Sequence, residues 1–375
     1  MTADRPLAVL HLAANRWWTG SADPTIRLVA GLRARGHRVL LGAIPGDRFE
    51  AKAREAGLEL VGGLRLDPRA GPAALARDVL RLRALVRAEA VDIVHAHHSH
   101  DHWLAALARP RRGAGGRPPA VRTFHNLRSV RRDRLSAGLY RRTAAAVVVS
   151  RQIEARCREV GFAPARVAWL PGVADLGRFA TGADPRPIRE EFGLGDAPVI
   201  VSVTRLAPNR SHELLLDGFR LLLGTMPDAR LLLVGKGEAR DRLEGLVATL
   251  GLGGRVVFTG YRDRDLPEVL AAADCFVLMA AGSDESCRAA LEAMAAARPV
   301  VARRVGALPE TVVDGETGLL LEADEPACVA DALRAVLADR ERGRAMGAAG
   351  RRRAEREFGL ERSVEILEGL YRRLV

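Results

Sequence analysis

Aromatic residues are scarce in this sequence: they make up 4% of its 375 residues, whereas hydrophobic residues as a whole make up 48%. Any core must therefore be filled mainly by alanine, valine and leucine. The hydrophobic fraction excludes an intrinsically disordered chain, which could not bury enough apolar surface to fold. The length fits two domains, because domains commonly contain about 100–200 residues.

Cysteine is also rare, and the four cysteines lie far apart, at Cys157, Cys275, Cys287 and Cys328. This spacing matches neither a zinc-binding pair nor a disulfide framework, so free thiols in a reducing compartment are expected. The N-terminus lacks the basic and apolar regions of a signal peptide, and no run approaches the ~18 apolar residues of a membrane-spanning helix. These absences together predict a cytoplasmic protein.

Lysine occurs only at Lys52 and Lys236, and the net charge of +12 is carried by arginine. A basic chain favours anionic partners, which include phosphates, nucleic acids and acidic membranes. A nucleic-acid-binding protein would show basic residues interleaved with aromatics, or a known reader module. Neither is present, so nucleic acid is not an expected partner.

Short apolar runs alternate with amphipathic stretches along the whole chain, which predicts parallel sheets covered by helices on both faces. The predicted strands of the first half are Leu7–Leu12, Val39–Ala43, Asp92–His95, Ala120–Phe124 and Ala145–Val149. Those of the second half are Val199–Val203, Leu231–Val234, Val256–Thr259, Cys275–Leu278, Pro299–Ala302 and Gly318–Leu321. The chain is therefore predicted to form α/β domains of the doubly wound type.

The stretch Pro171–Pro198 is rich in glycine, proline and aspartate, and we interpret it as an interdomain linker. We expect an N-terminal domain over residues 1–175 and a C-terminal domain over residues 176–359. Residues 360–375 form a predicted amphipathic helix that packs back on the first domain. The stretch Arg109–Pro119 is a predicted surface loop of that domain.

The segment Ser283–Ala302 is the strongest candidate site, because ligands of open parallel sheets bind at the loops that follow strands. Asp284 follows a predicted strand, and Glu292 lies on a helix predicted to begin near Cys287. The N-terminus of such a helix offers free N–H groups and a positive dipole, which suit a phosphate. An acid further along can accept hydrogen bonds from sugar hydroxyls. Taken alone, the pattern equally fits an Asp N-cap followed by an exposed helical Glu.

This segment resembles the signature of the retaining glycosyltransferases of family 4, also called glycosyl transferases group 1. The family pattern is an acid, seven residues, a glutamate, Ala-Met-Ala and a Pro-Val-Val strand, which Asp284, Glu292, residues 293–295 and residues 299–301 match. Further matches are Gly36-His37, Asp92–His95, Val203–Leu206, Gly235–Gly237, Phe258–Tyr261, Gly306, Leu308–Glu310 and Asp314–Leu320. The resemblance implies the GT-B fold, in which two Rossmann-like doubly wound parallel-sheet domains face each other across a cleft.

The resemblance also implies an activity, which is the transfer of a sugar from a nucleotide-diphosphate donor, linked to UDP or GDP, to an acceptor. The acceptor is expected to be a glycan or a lipid-linked molecule of the cell envelope. Transfer is expected to retain the anomeric configuration. Neither a metal ion nor another cofactor is expected, because arginines would neutralise the departing diphosphate.

Family positions assign roles to two cations and two acids. Arg205, just after a strand, corresponds to the cation on the donor diphosphate, and Arg210 stands where the family usually has lysine. Surface solvation is the alternative interpretation of both arginines. Asp284 is expected to hold hydroxyls of the donor sugar, and Glu292 the ribose of the nucleotide.

Other candidates follow strands as well. His125 corresponds to a family histidine near the reacting carbon, although a single histidine is often structural. Tyr261 and Arg262 lie in the loop that frames the nucleotide base. Gly20, in the loop after the first strand, would allow the backbone to approach a phosphate or the acceptor. The preceding Trp17-Trp18 pair could stack on a sugar or pack under this loop.

The sequence departs from the family after the first acid, where Gly-Phe-Gly is common and Glu285, Ser286 and Cys287 occur here. By position these three remain candidates for donor binding. A carboxylate at Glu285 would repel a diphosphate unless it points away, so either Asp284 or Glu285 is the sugar contact. The departure also leaves open a catalytically impaired relative that binds sugar nucleotides.

Histidines are concentrated at His95, His97, His98, His100 and His102. His98 and His102 are spaced to share a helical face, but no second group of ligands is evident, so a metal site is not expected. The run is interpreted as a strand end and loop that line the cleft.

The stretch Arg128–Arg142 combines arginines with apolar residues. It is interpreted either as a basic helix that lies on an anionic membrane, making the protein peripheral on the inner face, or as a solvated helix. A dinucleotide oxidoreductase is a further alternative for a doubly wound fold. That class needs Gly-x-Gly-x-x-Gly after the first strand, which residues 13–20 lack, so it is not favoured.

Overall fold

The computed structural model describes residues 5–15, 20–108, 116–282 and 284–375. The chain divides into two compact units. The first comprises Met1–Pro171, Ser283–Glu285 and Leu360–Val375, and the second comprises Gly172–Gly282 and Ser286–Gly359. Trp17, Trp18 and residues 109–115 of the predicted loop lie outside the described residues.

The first unit contains an all-parallel sheet covered by helices. Its described strands are β1 (Ala8–Ala13), β2 (Arg38–Ala43), β3 (Glu59–Leu60), β4 (Ile93–Ala96), β5 (Ala120–Phe124), β6 (Ala145–Val148) and β7 (Val167–Trp169). Its described helices are α1 (Ala22–Ala34), α2 (Arg48–Glu55), α3 (Gly71–Ala88), α4 (Ser99–Ala108), α5 (Arg134–Tyr140), α6 (Arg151–Glu159) and, from the end of the chain, α15 (Leu360–Arg372). The strand order is β3-β2-β1-β4-β5-β6-β7.

The order of this sheet reverses between β1 and β4, because the chain extends the sheet on one side of β1 and then returns to the other. Val9, Leu10 and Leu12 of β1 are fully buried, as expected for a strand covered on both faces. Doubly wound sheets bind ligands at the carboxyl ends of their strands near such a reversal. The loops after β1, β4 and β5 are therefore the part of this unit in which a site is expected.

The last helix, α15, belongs to the first unit and packs on α1. Gly31 of α1 allows the close approach, because a Cβ at this residue would lie 2.5 Å from Cγ2 of Val364. Val364, Leu367, Leu370 and Tyr371 form the buried face of α15. The amphipathic pattern of the sequence therefore corresponds to a helix whose apolar face covers α1 within this unit.

The second unit is also a parallel-sheet α/β structure. Its described strands are β8 (Val199–Val203), β9 (Arg230–Val234), β10 (Val256–Gly260), β11 (Cys275–Leu278), β12 (Val300–Ala302) and β13 (Gly318–Leu320). Its described helices are α7 (Arg186–Glu191), α8 (His212–Leu223), α9 (Arg240–Thr249), α10 (Leu266–Ala272), α11 (Arg288–Ala295), α12 (Leu308–Thr311), α13 (Pro326–Leu337) and α14 (Arg340–Glu357). The strand order β10-β9-β8-β11-β12-β13 reverses between β8 and β11, and the predicted α/β class is confirmed in both units.

The stretch Pro171–Pro198 is not a linker over most of its length, so this interpretation was wrong. From Gly172 onward it belongs to the second unit, and it includes α7. Phe179 and Ile188 are buried in the core of that unit. The average composition of the stretch, rich in glycine, proline and aspartate, conceals these two apolar residues, which anchor it in the core.

The stretch Arg128–Arg142 does not form one basic helix. It contains the end of a 3₁₀ turn and the seven-residue helix α5. Val130, Leu139 and Tyr140 are buried in the core of the first unit, whereas Leu135 is 76% exposed. The surface of this stretch is therefore a group of arginines around one leucine. No helix in the described ranges is both long and apolar enough to cross a bilayer.

Candidate functional site

Asp101 joins two of the loops at the strand-order reversal of the first unit. Its buried carboxylate accepts hydrogen bonds from the backbone N–H of Ala14, after β1, at 3.1 Å and from that of His98, before α4, at 2.9 Å. The second bond satisfies an N–H group at the N-terminus of α4. Burial raises the pKa of Asp101 to about 7, although the N–H donors act to lower it. The loops after β1 and β4 are thereby fixed next to each other.

His125 and Asp284 form a buried pair in the first unit. Nδ1 of His125, directly after β5, lies 3.0 Å from Oδ2 of Asp284. Donation of Nδ1–H to the carboxylate leaves the lone pair of the neutral ring on Nε2. Among the described residues, this buried Nε2 has no hydrogen-bond partner. The pair therefore offers a nitrogen that can accept a hydrogen bond from a ligand hydroxyl.

Gly20 packs against the same acid. A Cβ at Gly20 would lie 3.0 Å from Cβ of Asp284, which is closer than such atoms normally approach. A larger residue at position 20 would therefore displace Asp284 or the loop after β1. The structure brings Gly20, His125 and Asp284 together, and the contact of Gly20 with a phosphate or acceptor stays a prediction.

The carboxylate of Glu285 is directed into the first unit. Its Oε1 accepts a hydrogen bond from the backbone N–H of Leu127 at 2.8 Å, and its own N–H donates to the carbonyl of His125 at 2.8 Å. Burial raises the pKa of Glu285, while the Leu127 N–H and the Ser150 hydroxyl act to lower it. Of the two acids considered as the sugar contact, Asp284 consequently has the more suitable position.

The two histidines considered as a helical metal pair have separate environments. His98 precedes α4, and its ring stacks on that of His125 with centroids 5.9 Å apart. Nε2 of His102 lies 2.7 Å from Oγ1 of Thr143. The interpretation of these residues as two positions on one helical face was therefore wrong, because α4 begins after His98.

In the second unit, α11 carries Glu292, which is 6% exposed. Its Oε1 lies 3.4 Å from Nε of Arg288, one turn earlier. The residue before the helix, Cys287, is buried and has a left-handed φ of 54°, and Ser286 is also buried. Glu292 is thus not the exposed helical acid of the alternative interpretation. The roles of Glu292, Ser286 and Cys287 in donor binding stay predictions.

Arg205 and Arg210 lie between β8 and α8, at the carboxyl end of β8. Nη2 of Arg205 lies 2.9 Å from Oε2 of Glu238, and both side chains are more than half exposed, at 66% and 56%. Such surface pairs contribute little stability, so a diphosphate could replace Glu238 at little cost. Arg210 ends a 3₁₀ turn just before α8. The loop places both cations at the strand-order reversal of the second unit.

The glycines of the Gly235–Gly237 turn are required by backbone packing. A Cβ at Gly235 would lie 2.0 Å from the carbonyl oxygen of Thr204, and one at Gly237 would lie 2.1 Å from that of Leu206. The turn after β9 therefore packs directly on the loop that carries Arg205. Its glycines support the position of that loop.

Tyr261 and Arg262 differ in accessibility. Tyr261 is 48% exposed. The guanidinium of Arg262 forms ion pairs with Glu191 and Asp265 and stacks over the ring of Phe192 at 5.1 Å, and these carboxylates raise its pKa. Arg262 thus holds the loop after β10 to the residues around α7. Tyr261 is the more accessible candidate for contact with a base.

Sequence reasoning missed Asp101 and His11, which support the loops of the first unit. Asp101 had a detectable signal, because an acid in the first turn of a predicted helix is typical of a cap. His11 had none: it is a polar residue inside an apolar strand, and its partners are distant in sequence.

Comparison with protein-family models gives matches over most of the chain. The model described as Glycosyltransferase Family 4 matches residues 20–178. The model described as Glycosyl transferases group 1 matches residues 185–353. The first match falls mainly in the first unit and the second falls mainly in the second unit.

Two kinds of curated relatives are similar in sequence. A D-inositol 3-phosphate glycosyltransferase of Geodermatophilus obscurus is 32% identical over 328 residues, which cover 78% of this chain and 69% of the relative. A GDP-mannose-dependent alpha-(1-6)-phosphatidylinositol monomannoside mannosyltransferase of Mycolicibacterium smegmatis is 37% identical over 211 residues. That match covers 54% of this chain and 55% of the relative, so it spans about half the length of each.

Solved structures with the same fold cover nearly the whole chain. A glycosyltransferase from Rickettsia africae has a TM-score of 0.84 at 17% identity, with 99% of each chain covered. Anabaena HepE in complex with UDP-glucose has a TM-score of 0.80 at 20% identity, with 98% of this chain and 99% of that chain covered. At this identity the likeness shows the fold alone, which confirms the GT-B type expected from the sequence.

Proposed function

The chain belongs to glycosyltransferase family 4, the glycosyl transferases group 1, and on this basis we propose that it transfers a sugar from a nucleotide-diphosphate donor to a glycan or lipid-linked acceptor. Transfer retains the anomeric configuration. Neither a metal ion nor another cofactor takes part. The reaction takes place in the cytoplasm, at the inner face of the membrane.

The observation that carries this proposal is the buried pair of His125 and Asp284 beside Gly20. Three segments far apart in sequence supply it: His125 and Asp284 correspond to family positions expected near the reacting carbon and the donor sugar, and Gly20 lies in the loop after the first strand. Nε2 of His125 accepts a hydrogen bond from a hydroxyl close to the reacting carbon. Asp284 fixes the tautomer of His125 and accepts a hydrogen bond from a hydroxyl of the sugar.

The diphosphate is held by Arg205 and Arg210. As the glycosidic bond breaks, negative charge grows on the leaving oxygen, and preorganised cations stabilise that charge most strongly in the transition state. Donor binding displaces Glu238 from Arg205, which a dianion does readily at an exposed site. A metal ion is not needed for charge neutralisation in this scheme.

Retention follows from attack on the face from which the leaving group departs. The bond between the anomeric carbon and the phosphate oxygen breaks, the acceptor oxygen forms the new bond, and the acceptor proton passes to the diphosphate. Asp284 is bonded to His125, which suits a hydrogen-bonding role better than that of a nucleophile. Glu292, buried on α11, holds the ribose.

The relatives indicate which substrates to test first. The names of both kinds of relative, D-inositol 3-phosphate glycosyltransferase and phosphatidylinositol monomannoside mannosyltransferase, contain an inositol phosphate. One of them is named as GDP-mannose-dependent, whereas a structural neighbour was solved with UDP-glucose. Inositol phosphates and their lipids are therefore the first acceptors to test, with both GDP- and UDP-linked donors.

The decisive experiment has two stages. A panel of UDP- and GDP-sugars is first screened by thermal shift, because a donor at 100 times its Kd stabilises the folded state by about 2.7 kcal/mol. The donor that binds is then supplied with inositol-phosphate acceptors in the presence of EDTA, and NMR identifies the anomer of the product. A retained anomer formed in EDTA supports the proposed activity and mechanism, whereas an inverted anomer or a need for metal contradicts the mechanism.

The alternative is a relative that binds sugar nucleotides without transferring the sugar. The replacement of the usual Gly-Phe-Gly by Glu285, Ser286 and Cys287 favours it. In that case a donor raises the melting temperature, but no acceptor yields product. The turn of Glu285 toward the backbone of Leu127 favours the active enzyme, because it keeps this carboxylate engaged within the first unit.

A further inference from the structure

A continuous chain of buried hydrogen bonds runs through the first unit and includes both ring nitrogens of His11, His95 and His97. The hydroxyl of Tyr371, on α15, lies 2.5 Å from Nδ1 of His95 and 3.3 Å from Nε2 of His11. Nδ1 of His11 lies 2.9 Å from Nε2 of His97. Tyr371 and the three histidines are all at most 1% exposed.

Threonines close both ends of this chain. Oγ1 of Thr123 lies 2.6 Å from Nε2 of His95, and Oγ1 of Thr25 lies 3.4 Å from Nδ1 of His97. The Thr25 hydroxyl donates its proton to the carbonyl of Ser21 at 2.8 Å. It can therefore only accept from His97, and this sets the direction of every bond that follows.

The direction assigns one tautomer to each histidine. His97 donates Nδ1–H to Thr25 and accepts at Nε2 from Nδ1–H of His11. His11 accepts at Nε2 from the Tyr371 hydroxyl, which in turn accepts Nδ1–H of His95. A neutral imidazole has one donor and one acceptor, so all three rings are satisfied as neutral Nδ1–H tautomers. Burial also lowers the pKa of His11 to about 3 and that of His95 and His97 well below the usual range.

The same three histidines could be considered a metal site, since each has a ligand atom within 4.8 Å of the others. The ring arrangement argues against this. The rings of His95 and His97 are stacked at 12° with centroids 4.6 Å apart, and those of His11 and His97 at 22° and 5.2 Å. Lone pairs lie in the ring planes, so nearly parallel rings do not direct them to one point, as metal coordination requires. Each nitrogen also already has a hydrogen-bond partner.

We propose that Tyr371 is a positioning residue, which acts through His11 and His97 to hold the ring of His125 in place. The ring of His97 stacks on that of His125, with centroids 5.8 Å apart at 26°. The chain thus connects the last helix of the protein to the histidine that pairs with Asp284. The inference rests on the proposed function for the catalytic meaning of His125, but the hydrogen-bond chain itself does not depend on it.

The hydroxyl of Tyr371 is the one group in the chain that donates to one histidine and accepts from another. Tyr371→Phe keeps the ring and removes only this hydroxyl. His11 then loses its donor at Nε2, and His95 loses the acceptor of Nδ1–H. His95 can then switch to the Nε2–H tautomer, whereas Thr25 still fixes His97 and His11 as Nδ1–H tautomers. The ring of His11 is held only at Nδ1, so the support that it gives to the ring of His97 next to His125 is weakened.

The test combines kinetics with a measurement that is independent of activity. In protein labelled with ¹⁵N-histidine, wild type is expected to show neutral Nδ1–H tautomers for His11, His95 and His97, assigned with single histidine variants. Tyr371→Phe is expected to shift His95 toward Nε2–H or a mixture while His11 and His97 stay Nδ1–H, and to lower kcat by about tenfold with little change in donor KM. Tyr140→Phe is the matched control, because its hydroxyl is buried in the same unit outside the chain, where it accepts the N–H of Arg131.

Each outcome distinguishes this inference from the proposed function. If wild type transfers no sugar, the proposed function fails, but the tautomers measured by NMR still show whether the hydrogen-bond chain exists. If Tyr371→Phe matches Tyr140→Phe in both kcat and tautomers, the positioning role is wrong. If Tyr371→Phe does not fold, Thr25→Val gives the same test at the other end of the chain, with His97 as the reporting ring. Stoichiometric zinc in the purified protein, lost in His11→Gln, would overturn the chain in favour of a metal site.

Discussion

Asp101 accepts a hydrogen bond from the backbone of Ala14, 87 residues earlier in the chain, and thereby fixes the loop after β1 to the loop after β4. The side chain performs no reaction in the proposed scheme. It matters because Gly20 and the histidine run extend from these two loops, and the geometry around His125 depends on their separation.

Asp101→Asn is expected to destabilise the fold by about 1–3 kcal/mol, because the amide has a single accepting oxygen and a buried backbone N–H is left unsatisfied. The measurement is the free energy of unfolding from denaturant titration. Asp331→Asn serves as the control, since this exposed acid pairs with Arg334 on the surface, and little change is expected. Equal stability of the two variants would show that Asp101 does not fix the loops.

Acid is expected to destabilise the protein because several histidines are buried in neutral form. His11 has a folded pKa of about 3, so below pH ~6.5 the unfolded chain binds a proton that the folded chain does not. The free energy of unfolding then falls by about 1.4 kcal/mol per pH unit for this residue. The pKa values of His95, His97, His98 and His102 are lowered in the same direction by burial.

Asp101 acts in the opposite direction, because its folded pKa of about 7 lies above its unfolded value, so the folded state gains protons as the pH falls. One such group does not offset five histidines. Denaturant titrations at pH 7.5, 6 and 5 are therefore expected to show falling stability. A free energy of unfolding that is constant over this range would mean that these histidines are not buried as neutral rings.

Gly237→Ala is expected to destabilise the second unit, because its Cβ would lie 2.1 Å from the carbonyl oxygen of Leu206. Overpacking of this kind commonly costs about 1–3 kcal/mol. Gly245→Ala is the matched control, since Gly245 lies within α9 with open space around its Cβ position. That change should be neutral or stabilise by about 0.5–1 kcal/mol. The pair is compared by thermal unfolding, and the same sign for both variants would contradict the account of the Gly235–Gly237 turn.

The surface formed by the exposed arginines of 128–142 and the side chain of Leu135 is expected to bind anionic vesicles. Attraction of this type is weakened by salt, so release at high ionic strength is expected. Leu135→Ser should reduce co-sedimentation, whereas Leu80→Ser, at an exposed leucine of α3 in the same unit, should not. Equal binding to neutral and anionic vesicles would contradict a membrane-binding role, and residues 128–142 would then be interpreted as an ordinary solvated surface.

Much of the fold could be predicted because buried parallel strands are continuous apolar runs. Cys275–Leu278 and Ala120–Phe124 have the bounds that the sequence predicts, as does Val199–Val203. The strands Glu59–Leu60 and Val167–Trp169 were missed, because both lie at sheet edges and are only partly buried. Their assignment depends on pairing with a neighbour, which a local pattern does not contain.

The sequence allowed individual site residues to be predicted, but not which of them lie next to each other in the folded protein. His125 and Asp284 were both candidates, yet they are 159 residues apart, and no spacing rule connects them. Their pairing, and the engagement of Glu285 with the backbone of Leu127, depend on how segments meet in three dimensions. The same holds for Arg262, whose family position suggested a base contact and whose guanidinium is held by two carboxylates.

The most direct test of the central claim is steady-state kinetics of Arg205→Ala, Arg210→Ala, Asp284→Ala and Glu292→Ala with the identified donor, and with Arg334→Ala as a surface control. Loss of either arginine proposed to hold the diphosphate is expected to lower kcat by ~100-fold or more, because its charge would act mainly in the transition state. The acid variants should mainly raise the donor KM, since neutral hydroxyls change little during the reaction. Near-normal kcat in both Arg205→Ala and Arg210→Ala, together with loss of kcat in an acid variant, would contradict the account.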